Sequence, residues 1–286
     1  MPDTPTAPGN DAKRWKRPPG AERRGFWLVL AAAIIRPALN VFTKRTWHGQ
    51  AKIPVKGPAI IVGNHYSHFD PMVMAHFVYK AGRSPRFLLK ESIVKMPVVG
   101  RVIFNTGQIP VRRGTVDATK SLQEAIEALR EGKAVIIYPE GTTSKQPDHW
   151  PMRGKTGVAR LVAETGAPVI PVAQWGSLRF LNPLAKKRRF RFGFRRPVTV
   201  VAGEEVDLSE FAGKEHSSLT EITDRVMNAV RLQLAEIRGT EAPQLYEFHR
   251  RRSSSAPTET SESAPSDSQP TDNNEGDTNG EGTTNK

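Results

Sequence analysis

The chain is 286 residues long and 37% hydrophobic, contains no cysteine, and carries a formal charge of +13. That length can bury one sizeable core, and the lack of cysteine excludes disulfide frameworks and thiol catalysis. The charge is uneven: Ser253 to Lys286 holds seven acids and one base, a net −6, so the preceding 252 residues carry +19 and should attract polyanions such as an anionic membrane surface, nucleic acid or a phosphorylated substrate.

Residues 1–24 are rich in Pro, Gly and charge and too poor in apolar side chains to fold alone, so they read as a disordered basic arm. Trp15 lies among Lys13, Arg14, Lys16 and Arg17, a composition that suits the headgroup layer of a bilayer as well as plain solvent. Gly25 to Ile35 is an apolar run cut by Arg36 and Pro37. At about 1.5 Å per residue it is far short of the roughly 20 residues a membrane crossing needs, and no convincing small-x-small cleavage site precedes Arg36. We therefore expect residues 25–46 to be an interfacial, membrane-associated helical segment, with Lys44 and Arg45 beyond its apolar part. It would hold the protein, peripheral or monotopic, on the cytoplasmic face of the cell membrane. Packing of the same helix on the domain's own core is the alternative.

From residue 47 to residue 240 the pattern alternates, as expected of one domain. Ala59–Val62, Phe87–Leu89, Ala134–Tyr138 and Val169–Val172 read as buried strands, the last with Pro171 near its end; Asp70–Tyr79 and Thr156–Glu164 read as helices. Glu91 to Ile103, interrupted by Pro97 and Gly100, reads as a helix and then an irregular turn. Asp117–Glu131 is the clearest helix, with Leu122, Ala125, Ile126 and Leu129 on one face and Gly132 ending it. Strands separated by helices predict an α/β layered fold with a mostly parallel central sheet flanked by helices. Phe190, Phe192 and Phe194 alternate with Arg189, Arg191 and Arg195, predicting a strand with one apolar and one basic face whose partner is Val198–Ala202. Ser218–Arg238 should be a helix covering the sheet, and residues 253–286 a disordered acidic and polar tail.

The chemistry-bearing residues cluster where strands end. Asn64-His65-Tyr66-Ser67-His68-Phe69-Asp70 follows the first buried strand. A histidine there can act as a general base, and a carboxylate five residues on can turn back to fix its tautomer. Read singly, His65 could be a solvated side chain and Asp70 a helix cap ahead of Pro71. Ser67 is more suited to satisfying turn amides than to nucleophilic attack. His65, His68, Asp70 and His76 could also be read as metal ligands, although no second ligand cluster accompanies them and we expect no metal.

Three further blocks follow in order: Gly107-Gln108-Ile109-Pro110-Val111-Arg112-Arg113, Tyr138-Pro139-Glu140-Gly141-Thr142-Thr143-Ser144, and Val169-Ile170-Pro171-Val172. With the His-x4-Asp block, this order and spacing resemble the glycerolipid acyltransferases, the PlsC-like family of 1-acyl-glycerol-3-phosphate acyltransferases, over about residues 50–210. The resemblance implies catalysis by His65 and Asp70 in direct attack, without a covalent acyl-enzyme. It implies substrate binding at Lys90, Arg113, Glu140, Gly141 and Thr142. Arg113 offers a fork of donors to an acceptor phosphate, while Glu140 would bond acceptor hydroxyls or anchor its loop. The third block is usually Pro-Glu-Gly-Thr-Arg; here Thr143 replaces the Arg, and Lys145, Arg153 or Lys155 are candidates to restore a cation.

The expected function is transfer of a fatty acyl chain from acyl-CoA or acyl carrier protein to 1-acyl-glycerol-3-phosphate, giving phosphatidic acid. Glycerol 3-phosphate or another lysophospholipid is the alternative acceptor. No cofactor is expected beyond the thioester co-substrate. The expected partners are an anionic membrane surface, the lysophospholipid and thioester, and acyl carrier protein as one of the two donors, with nucleic acid disfavoured. A non-catalytic basic binding module and a metal-dependent hydrolase are the readings from other classes.

Overall fold

The structure, a computed structural model, describes residues 20–111, 117–146, 148–183, 194–211 and 219–243. Arg113, most of the Phe/Arg alternation, the acidic tail and most of the N-terminal arm lie outside these residues.

The chain opens with helix α1 (Phe26–Phe42) and runs directly into strand β1 (Thr43–His48). Strand β2 (Ala59–Gly63) leads into α2 (Asp70–Lys80). Short β3 (Leu88–Lys90) is followed by α3 (Glu91–Val94), α4 (Pro97–Asn105) and β4 (Ile109–Val111). Then come α5 (Asp117–Arg130), β5 (Ala134–Ile137), α6 (Gly157–Thr165), β6 (Val169–Trp175), β7 (Arg196–Ala202) and α7 (Leu219–Arg238).

The central sheet has the order β1-β7-β6-β2-β5, and every pairing in it is parallel except β6 with β7. The fold is the mixed α/β arrangement expected, a mostly parallel sheet flanked by helices. β3 and β4 form a small parallel pair, which a bridge between Phe87 and Ile136 attaches beside β5. Two apolar layers close the sheet. One gathers Ile61, Phe77, Ile136 and Val200; the other gathers Val62, Leu129, Leu161 and Val226. Strands β2 and β5 are buried on both faces, which is why they read as unbroken apolar runs rather than alternations.

Several expectations need correction. β1 was read as part of the interfacial segment, yet Thr43–His48 pairs with β7 over its whole length. Its sequence, Thr-Lys-Arg-Thr-Trp-His, buries only Thr43 and Trp47, as an edge strand can, so no alternation announced it. β7 pairs with β1 and β6, while most of the Phe/Arg stretch expected as its partner lies outside the described residues. β6 continues past Val172 to Trp175 with Pro171 inside it; the ladder to β7 begins only at Val172, so the missing N–H of Pro171 breaks no bond there. The stretch read as an irregular turn is helix α4. Gly100 admits it, because a Cβ at that position would lie 1.8 Å from the Val94 carbonyl oxygen. Finally, residues just ahead of α1 are tied down. Glu22 pairs with Arg86 at 2.6 Å and accepts from the Ser84 amide at 3.1 Å, while Arg24 donates to the Tyr79 carbonyl at 2.6 Å. A single acid among bases gives no compositional sign of this.

α1 turns an apolar stripe outward. Phe26, Val29, Leu30, Ile34 and Val41 are exposed, Phe26 by 73% and Ile34 by 67%, and the exposed Ala33, Pro37 and Ala38 fall between them at helical spacing. Beside it, α3 and α4 expose Ile93 and Phe104. Among the described residues no helix is long and apolar enough to cross a membrane.

Candidate active site

The parallel register of the sheet brings the candidate residues together. Val62 of β2 lies opposite Ile137 of β5, and His65 and Glu140 each follow three residues later. On the other side Gly63 lies opposite Val172 of β6, which places Gln174 and Ser177 just beyond the same edge. Phe87, opposite Ile136, is three residues before Lys90, so the register carries Lys90 level with Pro139. The site thus stands outside the carboxyl ends of the strands, where α/β sheets bind ligands.

His65 and Asp70 face each other. His65 Nδ1 is 3.1 Å from Asp70 Oδ2, with the imidazole 15% exposed and the carboxylate wholly buried. The same oxygen accepts from the Tyr66 and Ser67 amides, both at 2.7 Å, and the other accepts from the Ser177 hydroxyl. Because Oδ2 already accepts from two amides, the His65 ring meets it as a donor from Nδ1, which leaves the Nε2 lone pair available. Asp70 is also the first residue of α2, but its oxygens serve the loop before the helix rather than the helix's own amides. The helix-cap reading is therefore set aside.

The backbone of His65 is clamped as firmly as its ring. Its N–H donates to Glu140 Oε1 at 2.9 Å, and its carbonyl accepts from the Ser144 amide at 2.6 Å. Glu140 Oε2 accepts from the Met152 amide at 2.9 Å. With both oxygens on backbone amides and only 4% exposure, Glu140 fits the loop-anchoring role of the two expected for it. Gly141 follows at φ 68, which favours glycine, and Thr142 is exposed beside it.

Of the cations considered as substitutes for the arginine absent at Thr143, Lys155 lies over this loop. Its Nζ is 3.5 Å from where a Cβ on Gly141 would stand. Arg153 instead pairs with Asp224 at 3.5 Å, and Lys145 is exposed. Lys90 is exposed at the end of β3, and β4, whose last residue Val111 lies opposite it, leads toward Arg113.

Burial pushes the Glu140 carboxyl up from its ordinary 4.5 to about 8, with the Asp70 charge adding to it and the two amide donors opposing. Between those values the folded protein keeps a proton that the unfolded chain has released. Stability should therefore fall as pH rises from about 5 to about 8. Glu140→Gln should flatten that slope in urea denaturation followed across this range. It should also lower the midpoint throughout, since an amide NH2 must face one of the two backbone N–H groups, at about 1–3 kcal/mol. An unchanged slope would mean that Glu140 is ionised in the fold.

Several supporting residues carried no usable sequence signal. Tyr138 stacks on the His65 ring at 4.5 Å and an interplanar angle of 19°. Asn64 and Gln174 exchange three hydrogen bonds of 2.9–3.1 Å that lock β2's end to β6. Ser177 completes the Asp70 shell from 107 residues away, a distance at which no pattern operates. Ser67 behaves as expected of a turn residue, accepting from the Phe69 amide at 3.1 Å and donating to the Leu181 carbonyl at 2.6 Å. His76 lies apart from His65 and contacts Arg45, and no group of three or more candidate metal ligands occurs among the described residues.

The family model described as Acyltransferase matches residues 23–175. A 1-acyl-sn-glycerol-3-phosphate acyltransferase of Borreliella burgdorferi is 31% identical over 133 residues, covering 46% of this chain and 51% of the relative. A lyso-ornithine lipid O-acyltransferase of Pseudomonas aeruginosa is 30% identical over 116 residues, covering 41% of this chain and 42% of that protein. The match therefore spans about half the length of these relatives. Among solved structures, the 1-acyl-sn-glycerophosphate acyltransferase PlsC of Thermotoga maritima superposes with a TM-score of 0.59 at 27% identity, covering 76% of this chain and 81% of that one.

Proposed function

The chain belongs to the Acyltransferase family, and from that premise we propose that it is an acyltransferase that transfers a fatty acyl chain from an acyl thioester to 1-acyl-glycerol-3-phosphate, forming phosphatidic acid. The observation that carries this reading is the His65–Asp70 pair, 3.1 Å apart at the carboxyl edge of the sheet and clamped by Glu140.

A thioester is already activated, so transfer needs a base for the acceptor hydroxyl, correct placement, and charge stabilisation of the tetrahedral intermediate. His65 Nε2 takes the proton from the acceptor hydroxyl as its oxygen attacks the thioester carbonyl. Asp70 holds the imidazole in orientation and stabilises the imidazolium that forms. Collapse of the intermediate breaks the C–S bond, and the proton on His65 goes to the departing thiolate. In this reading Lys90, Arg113 and the Gly141–Thr142 loop bind the acceptor, and Glu140 acts through the backbone of His65.

The acceptor phosphate is the part of the reading that Thr143 bears on most. Assay of the purified protein with one acyl-CoA against lysophosphatidic acid, glycerol 3-phosphate, lysophosphatidylcholine and lyso-ornithine lipid, with products identified by mass spectrometry, tests it. Lysophosphatidic acid should be preferred by at least about tenfold in kcat/KM, the scale of a charge-assisted contact. Preference for an acceptor without a phosphate monoester would replace this assignment with that lipid.

The outward stripe of α1 supports residence on a lipid surface, its apolar side chains entering the headgroup boundary and the basic body facing anionic lipid. Phe26→Asp with Ile34→Asp should shift the protein from floating with phospholipid vesicles to the soluble fraction, while its melting temperature stays within a few degrees. Continued flotation would assign the attachment to other parts of the surface.

A further inference from the structure

Three near-parallel rings meet beside the candidate base. Tyr138 follows the last residue of β5, and its ring lies 4.5 Å from the His65 imidazole, centre to centre, at an interplanar angle of 19°. Phe87, itself buried, runs alongside Tyr138 at 6.1 Å and 23°.

The Tyr138 ring is seated from two more directions. The register that sets Val62 opposite Ile137 makes Gly63 and Tyr138 neighbours across β2 and β5. Gly63 leaves room for the ring, because a Cβ there would lie 2.9 Å from Tyr138 Cε1 and 2.8 Å from Met74 Cε, closer than packed carbons approach. At the far end of the ring the Gln174 amide nitrogen is 3.5 Å from the hydroxyl, a long contact on a side chain that also donates to the Asn64 carbonyl at 3.1 Å.

This ring acts on a different part of the imidazole from Asp70. The carboxylate meets the ring edge at Nδ1, 3.1 Å away, whereas Tyr138 covers a face. An aromatic face is electronegative, so it attracts a neutral imidazole weakly and an imidazolium strongly. His65 becomes that cation when Nε2 takes the proton of the attacking hydroxyl, and only contacts that strengthen on the way to the transition state raise the rate of the chemical step. With the imidazole 15% exposed, little water competes for the charge. Burial, and then the Asp70 charge, push the Tyr138 phenol up against the opposing Gln174 contact, so the ring offers its face and no charge of its own.

We propose that Tyr138 is a positioning residue of the transfer step, acting through His65: its face stabilises the imidazolium and fixes the plane in which Nε2 meets the acceptor hydroxyl. The proposal rests on the reading of His65 as the general base. Asp70 selects the nitrogen that is free, and Tyr138 sets the direction in which it points.

The test changes the charge over the ring while keeping its shape. Tyr138→Phe removes only the hydroxyl and its long contact. Pentafluorophenylalanine incorporated at position 138 has nearly the same outline as Phe but an electropositive face, and Tyr138→Leu has no face at all. Each full chain is assayed for kcat and KM with one acyl-CoA and the acceptor that the wild type prefers, beside wild type and His65→Ala, with melting temperatures recorded. Tyr138→Phe, the conservative variant, should keep at least about a third of the wild-type kcat. The pentafluoro protein and Tyr138→Leu should each fall about tenfold below Tyr138→Phe, the scale of a partly desolvated cation–π contact, with KM within about twofold. Equal kcat in the Phe and pentafluoro proteins, or losses that fall on KM instead, would overturn the role of Tyr138 while leaving His65 as the base. Activity retained by His65→Ala would overturn the base, and the role of Tyr138 with it. Should Tyr138→Leu fail to fold, the comparison of the Phe and pentafluoro proteins decides alone.

Discussion

His65→Ala should lower kcat/KM for acyl transfer by at least about 10³-fold while leaving fold and vesicle binding unchanged. The figure lies within the range of a positioned general base, about 10² to 10⁴. The fold should survive because the contacts that organise the loop are backbone ones: the His65 N–H to Glu140 at 2.9 Å and the His65 carbonyl to Ser144 at 2.6 Å persist with alanine. What disappears is the ring between Tyr138 and Asp70. Loss should fall on kcat rather than KM, since the imidazole acts on the proton in flight and not on the bound acceptor. Retention of a tenth or more of the activity, in a variant with wild-type melting temperature, would remove His65 as the base.

Asp70→Asn should cost nearly as much, about 10³- to 10⁴-fold in kcat. The substitution is informative because the local geometry survives it. An amide oxygen in the place of Oδ2 still accepts from the Tyr66 and Ser67 amides and from His65, and the NH2 in the place of Oδ1 can donate to the Ser177 hydroxyl oxygen. The tautomer is retained and the negative charge is lost. At about 3 Å in a partly buried site, that charge stabilises the imidazolium by several kcal/mol at an effective dielectric near 20, which is the predicted loss. Thermal unfolding distinguishes this from a structural effect. A small drop in melting temperature with the full loss of kcat fits an electrostatic role, whereas near-wild-type kcat would leave Asp70 as a buried fastener of the loop.

The sequence was legible where a single local force decided the structure. Ala59–Val62 and Ala134–Ile137 are buried on both faces, and their apolar runs announced them. The face of α5 was marked by Leu122, Ala125, Ile126 and Leu129, and its end by Gly132 at φ 74. His65 and Asp70 lie five residues apart, close enough for a turn to join them, so their meeting could be read before any tertiary contact was known. Long-range pairing was hidden. β1 is held by its ladder to β7 with only Thr43 and Trp47 buried, and its Lys and Arg disguised it as the flank of an apolar helix.

Arg83 shows the same blindness for charge. It reads as one more surface cation, yet it is 1% exposed and donates to the Pro54 and Gly132 carbonyls at 2.9 and 2.8 Å while facing Glu22 at 3.6 Å. Nothing in its neighbours, Gly82 and Ser84, signals a buried guanidinium. The Ser177 hydroxyl on Asp70 was equally out of sight, because the register of β2 with β6 places it there. The acceptor side was legible only as a motif. Glu140 stood out in its block, but whether a glutamate contacts substrate or backbone depends on two amides, His65 and Met152, that converge on it only in the fold.

The measurement that tests direct attack by an acceptor hydroxyl most plainly is the intact mass of the wild-type protein after mixing with acyl-CoA, first alone and then with lysophosphatidic acid, with free thiol followed in the same samples. The account predicts no mass increase and no stoichiometric thiol release with acyl-CoA alone, followed on addition of acceptor by one thiol released for each phosphatidic acid formed. A protein heavier by one acyl group before any acceptor is added, and relieved of it afterwards, would contradict a mechanism in which His65 activates the acceptor and the enzyme itself is never acylated.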